Sequence, residues 1–132
     1  MIYGVGTDIL KLDRLVASYQ RTNGRLAHRI LGSEEMQVFQ ARLARNESRG
    51  MAYLATRFAA KEAFSKAIGL GMRSPMSWKA VQTLNDASGK PVIKCSGLLE
   101  KYVQERQLVA QVSISDEVNM VIAFVILSVH QD

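Results

Sequence analysis

Apolar and polar positions alternate at the start of the chain. Tyr3, Val5, Thr7 and Ile9 fall on one face and Ile2, Gly4, Gly6, Asp8 and Leu10 on the other, which is the period of a strand. Gly4 and Gly6 leave the second face bare for two positions, as expected where a ligand or another backbone comes close, and Asp8 lies reachable at the strand end. From Asp13 to about Arg45 the pattern turns helical, in pieces divided near Asn23-Gly24 and Leu31-Gly32. Ser33, followed by Glu34 and Glu35, suits an N-cap with acids in the first turn. Asn46 to Gly50 reads as a loop, and the next helix runs from about Met51 to Ile68 and stops at Gly69-Leu70-Gly71.

At about 100° per residue that helix has Met51, Leu54, Ala55 and Phe58 on one side and Tyr53, Ala60, Phe64 and Ala67 on the other. Apolar nearly all round, it is expected to be central and buried. After Pro75 the pattern predicts a strand over Met76 to Leu84, a turn at Asp86-Ala87-Ser88-Gly89 and a strand over Val92 to Cys95. A short helix follows over Gly97 to Gln107. An antiparallel hairpin of Val109 to Ser115 and Asn119 to Val129 then turns across Asp116-Glu117. Strand, helices, strand pair, helix and strand pair in that order predict an α+β fold, an antiparallel sheet with a long central helix, in one domain over residues 1–132.

Composition narrows the class. Apolar residues make up 48% and charged residues 22%, values of a globular chain and not of a disordered one. Cys95 is the single cysteine, which excludes an intrachain disulfide and a cysteine-based zinc site. The first residues lack a basic stretch followed by an apolar run, so no secretory signal is expected. The longest apolar run, Met120 to Leu127, falls short of the roughly 20 residues that span a bilayer. A cytoplasmic protein with no membrane partner is the expectation.

The net charge is +5, and its placement says more than its total. Between Lys11 and Gly50 stand Lys11, Arg14, Arg21, Arg25, Arg29, Arg42, Arg45 and Arg49 against Asp13, Glu34, Glu35 and Glu47. Arginines favour bidentate pairing with carboxylate or phosphate, so an acidic macromolecular partner fits, as do plain solvated helix faces.

The candidate chemistry lies in Arg57-Phe58-Ala59-Ala60-Lys61-Glu62-Ala63-Phe64-Ser65-Lys66-Ala67, where one carboxylate stands between two lysines in the apolar helix. A carboxylate in such a helix needs a partner or a metal. Asp8 and Glu62 could converge on one divalent cation, with the lysines suited to phosphate oxygens. A bland reading stands beside it: Glu62 and Lys66 at i, i+4 make a favourable intrahelical ion pair, and Asp8 could bond turn amides. His28 and His130 have no acid or nucleophile at suggestive spacing, and the glycines form no Walker-type loop. The residues alone leave open a metal-dependent phosphotransferase or nuclease acting on nucleic acid, or a non-catalytic basic binding module.

Taken in order, Ile2-Tyr3-Gly4-Val5-Gly6-Thr7-Asp8-Ile9, Arg29-Ile30-Leu31, the segment from Leu54 to Ala63, Lys66-Ala67-Ile68-Gly69, Gly71, Gly89-Lys90-Pro91 and Ser113-Ile114-Ser115-Asp116-Glu117 resemble the holo-(acyl-carrier-protein) synthase family, the small bacterial branch of the phosphopantetheinyl transferases. The resemblance covers essentially the whole chain. It implies the phosphopantetheinyl transferase fold and transfer of 4′-phosphopantetheine from coenzyme A to a serine of apo acyl carrier protein, releasing adenosine 3′,5′-bisphosphate. It further implies Mg²⁺ held by Asp8 and Glu62, with Glu62, Lys66 and Asp8 catalytic and Glu62 the base. Lys61, Lys66, Gly89, Lys90 and Pro91 would meet coenzyme A, and Arg14, Arg21 and Arg25 would meet the carrier protein. A homotrimer with sites between subunits is implied, and nucleic acid is not among the partners. The chain departs from the family pattern at Gln111, where many members have histidine, and has Leu10 where the larger branch often has a second carboxylate.

Overall fold

A computed structural model describes residues 1–130. Strand β1 (Ile2–Lys11) leads through helices α1 (Leu12–Arg21), α2 (Arg25–Ile30) and α3 (Ser33–Arg45) into the long α4 (Glu47–Ile68). A short 3₁₀ turn (Trp78–Ala80) precedes β2 (Val81–Asn85) and β3 (Pro91–Cys95), then α5 (Gly97–Glu105), β4 (Leu108–Glu117) and β5 (Met120–Val129). The strands form an antiparallel three-stranded sheet in the order β1-β5-β4 and a separate β2-β3 hairpin, so the fold is α+β as expected.

Several element boundaries differ from the sequence reading, and four of the differences have a physical cause or move an element. Helix α4 begins at Glu47 instead of Met51, because the Asn46 side chain caps it by accepting from the Arg49 N–H. The cap of α3 is Gly32, not Ser33: the Glu35 carboxylate takes the Gly32 N–H, while Gln82 Oε1 takes the N–H groups of Glu34 and Glu35. Residues 76–80 are not strand, since Trp78–Ala80 coils into the 3₁₀ turn. The last hairpin turns at Val118-Asn119, two residues beyond the expected place, with Asp116 opposite Val121 and Glu117 opposite Met120.

Helix α4 is the axis of the core. Leu54, Ala55, Ala59, Ala60, Ala63 and Phe64 are wholly buried, and Val121, Ala123, Val125 and Leu127 of β5 pack from the sheet. β1 crosses α4 backbone against backbone. A Cβ on Gly4 would land on the carbonyl oxygen of Ala67, and one on Gly6 on that of Ala63. The two glycines therefore serve the core, and a side chain at either would push strand from helix. α4 ends where Gly69 takes the left-handed conformation, at φ 82°.

The sheet's other face is bare. Val5, Ile126 and Gln111 lie in one row, Thr7, Phe124 and Ser113 in the next, and Ile9, Ile122 and Ser115 in the third. Ile9 is 64% exposed, Val5 48%, Ile122 46% and Phe124 37%, an apolar patch that no element among the described residues covers.

Candidate active site

Where β1 lies on α4, Asp8 follows Gly6 on the inner face and comes to the turn of α4 that carries Glu62 and Lys66. Lys66 Nζ donates to the Thr7 carbonyl oxygen at 2.8 Å and stands 3.6 Å from Asp8 Oδ1. Lys66 thus pairs across to Asp8 and does not close the intrahelical pair with Glu62. Asp8 and Glu62 are both half-buried and near enough to act on each other. Burial pushes the Glu62 carboxyl above the ordinary carboxylate range, the Asp8 charge pushes it further, and Lys66 eases it. Burial raises Asp8 as well, against the pull of Lys66.

Two carboxylates converging with a single lysine between them are under-neutralised. Such a pair gives a hard cation two oxygen ligands and leaves its other positions to water and substrate phosphate, which suits Mg²⁺. Among the described residues no group of three or more His, Cys, Asp and Glu gathers to hold a metal by protein ligands alone. Leu10, next along the inner face, is half-buried and adds no ligand.

Lys61 is a correction. It was expected at coenzyme A phosphates, but it is 1% exposed and all its protons are spent inside the fold. Its Nζ donates to Glu35 Oε1 at 2.7 Å, to the Trp78 carbonyl oxygen at 2.8 Å and to that of Val81. Glu35 in turn accepts from the N–H groups of Gly32 and Thr83. Lys61 therefore ties α4 to the start of α3 and to the 3₁₀ turn, and phosphate cannot reach it. Burial lowers its affinity for a proton and the Glu35 carboxylate supports it.

A second concavity opens elsewhere on α4. A pocket of about 640 Å³ is walled by Arg42, Arg45 and Arg49 on one side and by Asn85, Gly89 and Pro91 on the other. Its remaining lining includes Tyr53, Thr56, Arg57 and Asp116. Two guanidiniums pack on the Tyr53 ring, Arg42 4.9 Å and Arg57 4.3 Å from its centroid. Gly89 and Pro91 thus stand where arginines gather, and Lys90 between them is exposed. Sequence reasoning counted Arg42, Arg45 and Arg49 in the basic stretch without singling them out. Their signal was the recurrence of arginine across the α3–α4 corner, legible only once Asn46 is known to be a cap and not a loop.

Pocket and carboxylates do not share a face. Thr56 stands six positions before Glu62, which places them about 120° apart around α4. Arg14 and Arg21 on α1 and Arg25 at the start of α2 are exposed, in the helices that follow the strand carrying Asp8. Gln111 is exposed on the uncovered sheet face. Cys95 is half-buried, and burial pushes its thiol up to about 11, which removes it as a nucleophile at neutral pH.

The chain is similar to known proteins along nearly its whole length. The family model of the 4′-phosphopantetheinyl transferase superfamily matches residues 4–124. The holo-(acyl-carrier-protein) synthase of Polynucleobacter necessarius subsp. necessarius is 62% identical over 128 residues, covering 97% of this chain and 94% of the relative. Among solved structures, the holo-(acyl-carrier-protein) synthase of Neisseria meningitidis superposes with a TM-score of 0.89 at 39% identity, over 97% of this chain and 99% of that one. The synthase of Bacillus anthracis, in complex with CoA (3′,5′-ADP), gives 0.80 at 32%, over 98% of this chain and 99% of that one. With residues 4–124 of its 132 matched, and a relative this similar over nearly all of it, the chain belongs to the 4′-phosphopantetheinyl transferase superfamily.

Proposed function

We propose that this chain transfers 4′-phosphopantetheine from coenzyme A to a serine hydroxyl of apo acyl carrier protein, as a single transferase domain over residues 1–132. The observation that carries the reading is the convergence of Asp8, Glu62 and Lys66 where β1 meets α4. The serine oxygen forms a bond to the β-phosphorus and the bond to the bridging oxygen breaks. Adenosine 3′,5′-bisphosphate leaves with the bonding pair. Glu62, its affinity for protons raised, receives the serine proton, and Lys66 supplies positive charge to the leaving phosphate. Asp8 and Glu62 would hold Mg²⁺, which when bound neutralises pyrophosphate charge and orients in-line displacement.

The nucleotide end of coenzyme A belongs in the arginine pocket, with Arg42, Arg45 and Arg49 toward its phosphate and Gly89-Lys90-Pro91 at its edge. Because that pocket and the carboxylates open on different faces of α4, one coenzyme A is better served by the pocket of one copy and the carboxylates of another. The uncovered patch of Val5, Ile9, Ile122 and Phe124 supplies the apolar surface for a homotrimer of that kind. Arg14, Arg21 and Arg25 receive the acidic carrier protein. No helix among the described residues is long and apolar enough to cross a membrane, and a cytoplasmic setting belongs to the same reading.

Mass spectrometry of apo acyl carrier protein incubated with the chain, coenzyme A and Mg²⁺ tests it. A mass gain of one phosphopantetheine is expected. No gain, under conditions where a known transferase succeeds, sinks the reading.

A further inference from the structure

Asn85, the last residue of β2, makes two side-chain hydrogen bonds in opposite directions. Arg57 Nη2 donates to its Oδ1 at 2.7 Å, and its Nδ2 donates to the Gly89 carbonyl oxygen at 2.9 Å. A cation on one side and a carbonyl on the other fix which way the amide points. Arg57 is itself anchored, Nε to the Thr83 carbonyl oxygen at 3.0 Å and Nη1 to Thr56 Oγ1 at 3.1 Å, and is 5% exposed. A hydrogen-bonded run therefore leads from inside α4 to the tip of the β2–β3 turn.

The turn holds its own shape without this run. Asp86 Oδ1 accepts from the N–H groups of Ser88 and Lys90, and the Gly89 N–H donates to the Asp86 carbonyl oxygen. At the base of the turn Asn85 faces Pro91 in a pair that exchanges no backbone hydrogen bond, since it is the next pair out whose Asp86 N–H donates to the Lys90 carbonyl oxygen, so the Asn85 side chain carries the link from the turn to α4. Arg57 and Asn85 thus fix where the Gly89 and Pro91 wall stands relative to the arginine wall.

Resting on the reading of this pocket as the nucleotide site, we propose that Arg57 and Asn85 are positioning residues, which act through the Gly89-Lys90-Pro91 turn to set the width of the pocket for the nucleotide end of coenzyme A. Binding there is equal in ground and transition states, so the relay acts on affinity for coenzyme A and leaves turnover alone.

Calorimetric titration of the full chain with adenosine 3′,5′-bisphosphate, paired with steady-state transfer kinetics, tests this. Asn85→Ala is expected to weaken bisphosphate binding and raise KM for coenzyme A by about 5- to 10-fold, with kcat and KM for the carrier protein held. Asn85→Asp keeps an acceptor for Arg57 but sets an oxygen against the Gly89 carbonyl. It should lose as much affinity as Asn85→Ala while keeping the wild-type melting temperature, and wild-type affinity in this variant overturns the relay. Arg57→Lys should add no further loss on the Asn85→Ala background, whereas additive losses mean two independent contacts and also overturn it. If Arg57→Lys does not fold, the two Asn85 variants decide. A wild-type chain that transfers phosphopantetheine but whose Asn85 variants bind normally refutes the relay alone; one that binds no bisphosphate refutes the nucleotide reading of the pocket.

Discussion

Lys61 and Lys66 lie on the same helix, and their surroundings are opposite. On the Lys61 side every charge has a partner: one ammonium, one carboxylate and the backbone groups around them satisfy one another out of water. On the Lys66 side two carboxylates share one partly exposed lysine, and both are held above the ordinary carboxylate range. A satisfied buried network fixes shape, whereas an under-neutralised cluster holds unspent electrostatic energy that a bound cation relieves. The first side serves the fold, and the second is where binding can be favourable.

Breaking the satisfied side should do the most damage. Lys61→Met leaves Glu35 buried without its cation and should cost about 3–5 kcal/mol in urea unfolding, while Lys61→Met with Glu35→Leu should recover much of that. A lone Lys61→Met that unfolds like wild type would remove the contrast altogether.

Breaking the other side should damage activity and spare the fold. Glu62→Gln is expected to slow transfer by about 10²-fold or more, with a melting temperature equal to or above that of wild type. Loss of both together would mean that Glu62 is structural after all.

The pH dependence sharpens the contrast further. With folded pKa values raised, Asp8 and Glu62 bind more protons in the native than in the unfolded state between the ordinary and the raised values. Their contribution to stability therefore falls as pH rises through that window. Transfer needs the ionised carboxylates, so its rate should rise through the same window. Parallel rate and stability profiles would contradict this, and added Mg²⁺ should shift the acid limb of the rate to lower pH.

The smallest effect is expected farthest from both lysines. Arg14→Glu should raise KM for the carrier protein several-fold at low salt and less at high salt, with KM for coenzyme A unchanged. Equal changes in the two would place Arg14 elsewhere.

Element types and order were legible in the sequence because each has the period of its structure, and α4 announced its burial by being apolar all round. Asp8, Glu62 and Lys66 were legible as isolated charges in apolar elements, and the bareness of Gly4 and Gly6 foretold the close approach that joins them. Lys61 was misread because a lysine beside a functional acid has the same local sequence whether it faces phosphate or a carboxylate donated by another helix. Glu35 lies 26 positions away, and nothing in the sequence marks it as Lys61's partner. The arginine pocket was missed for a similar reason: its walls come from α3, α4, the β2–β3 turn and β4, and no single stretch carries its signature.

The contact of Gly4 and Gly6 with α4 bears on how inactivating mutations would present in a cell. A methyl group at either position separates strand from helix, so the protein would be cleared before its chemistry was tested. A screen for abundant but inactive protein should return changes at Asp8, Glu62 and Lys66 and none at the two glycines, although they stand on the same strand as Asp8 and set its distance from Glu62.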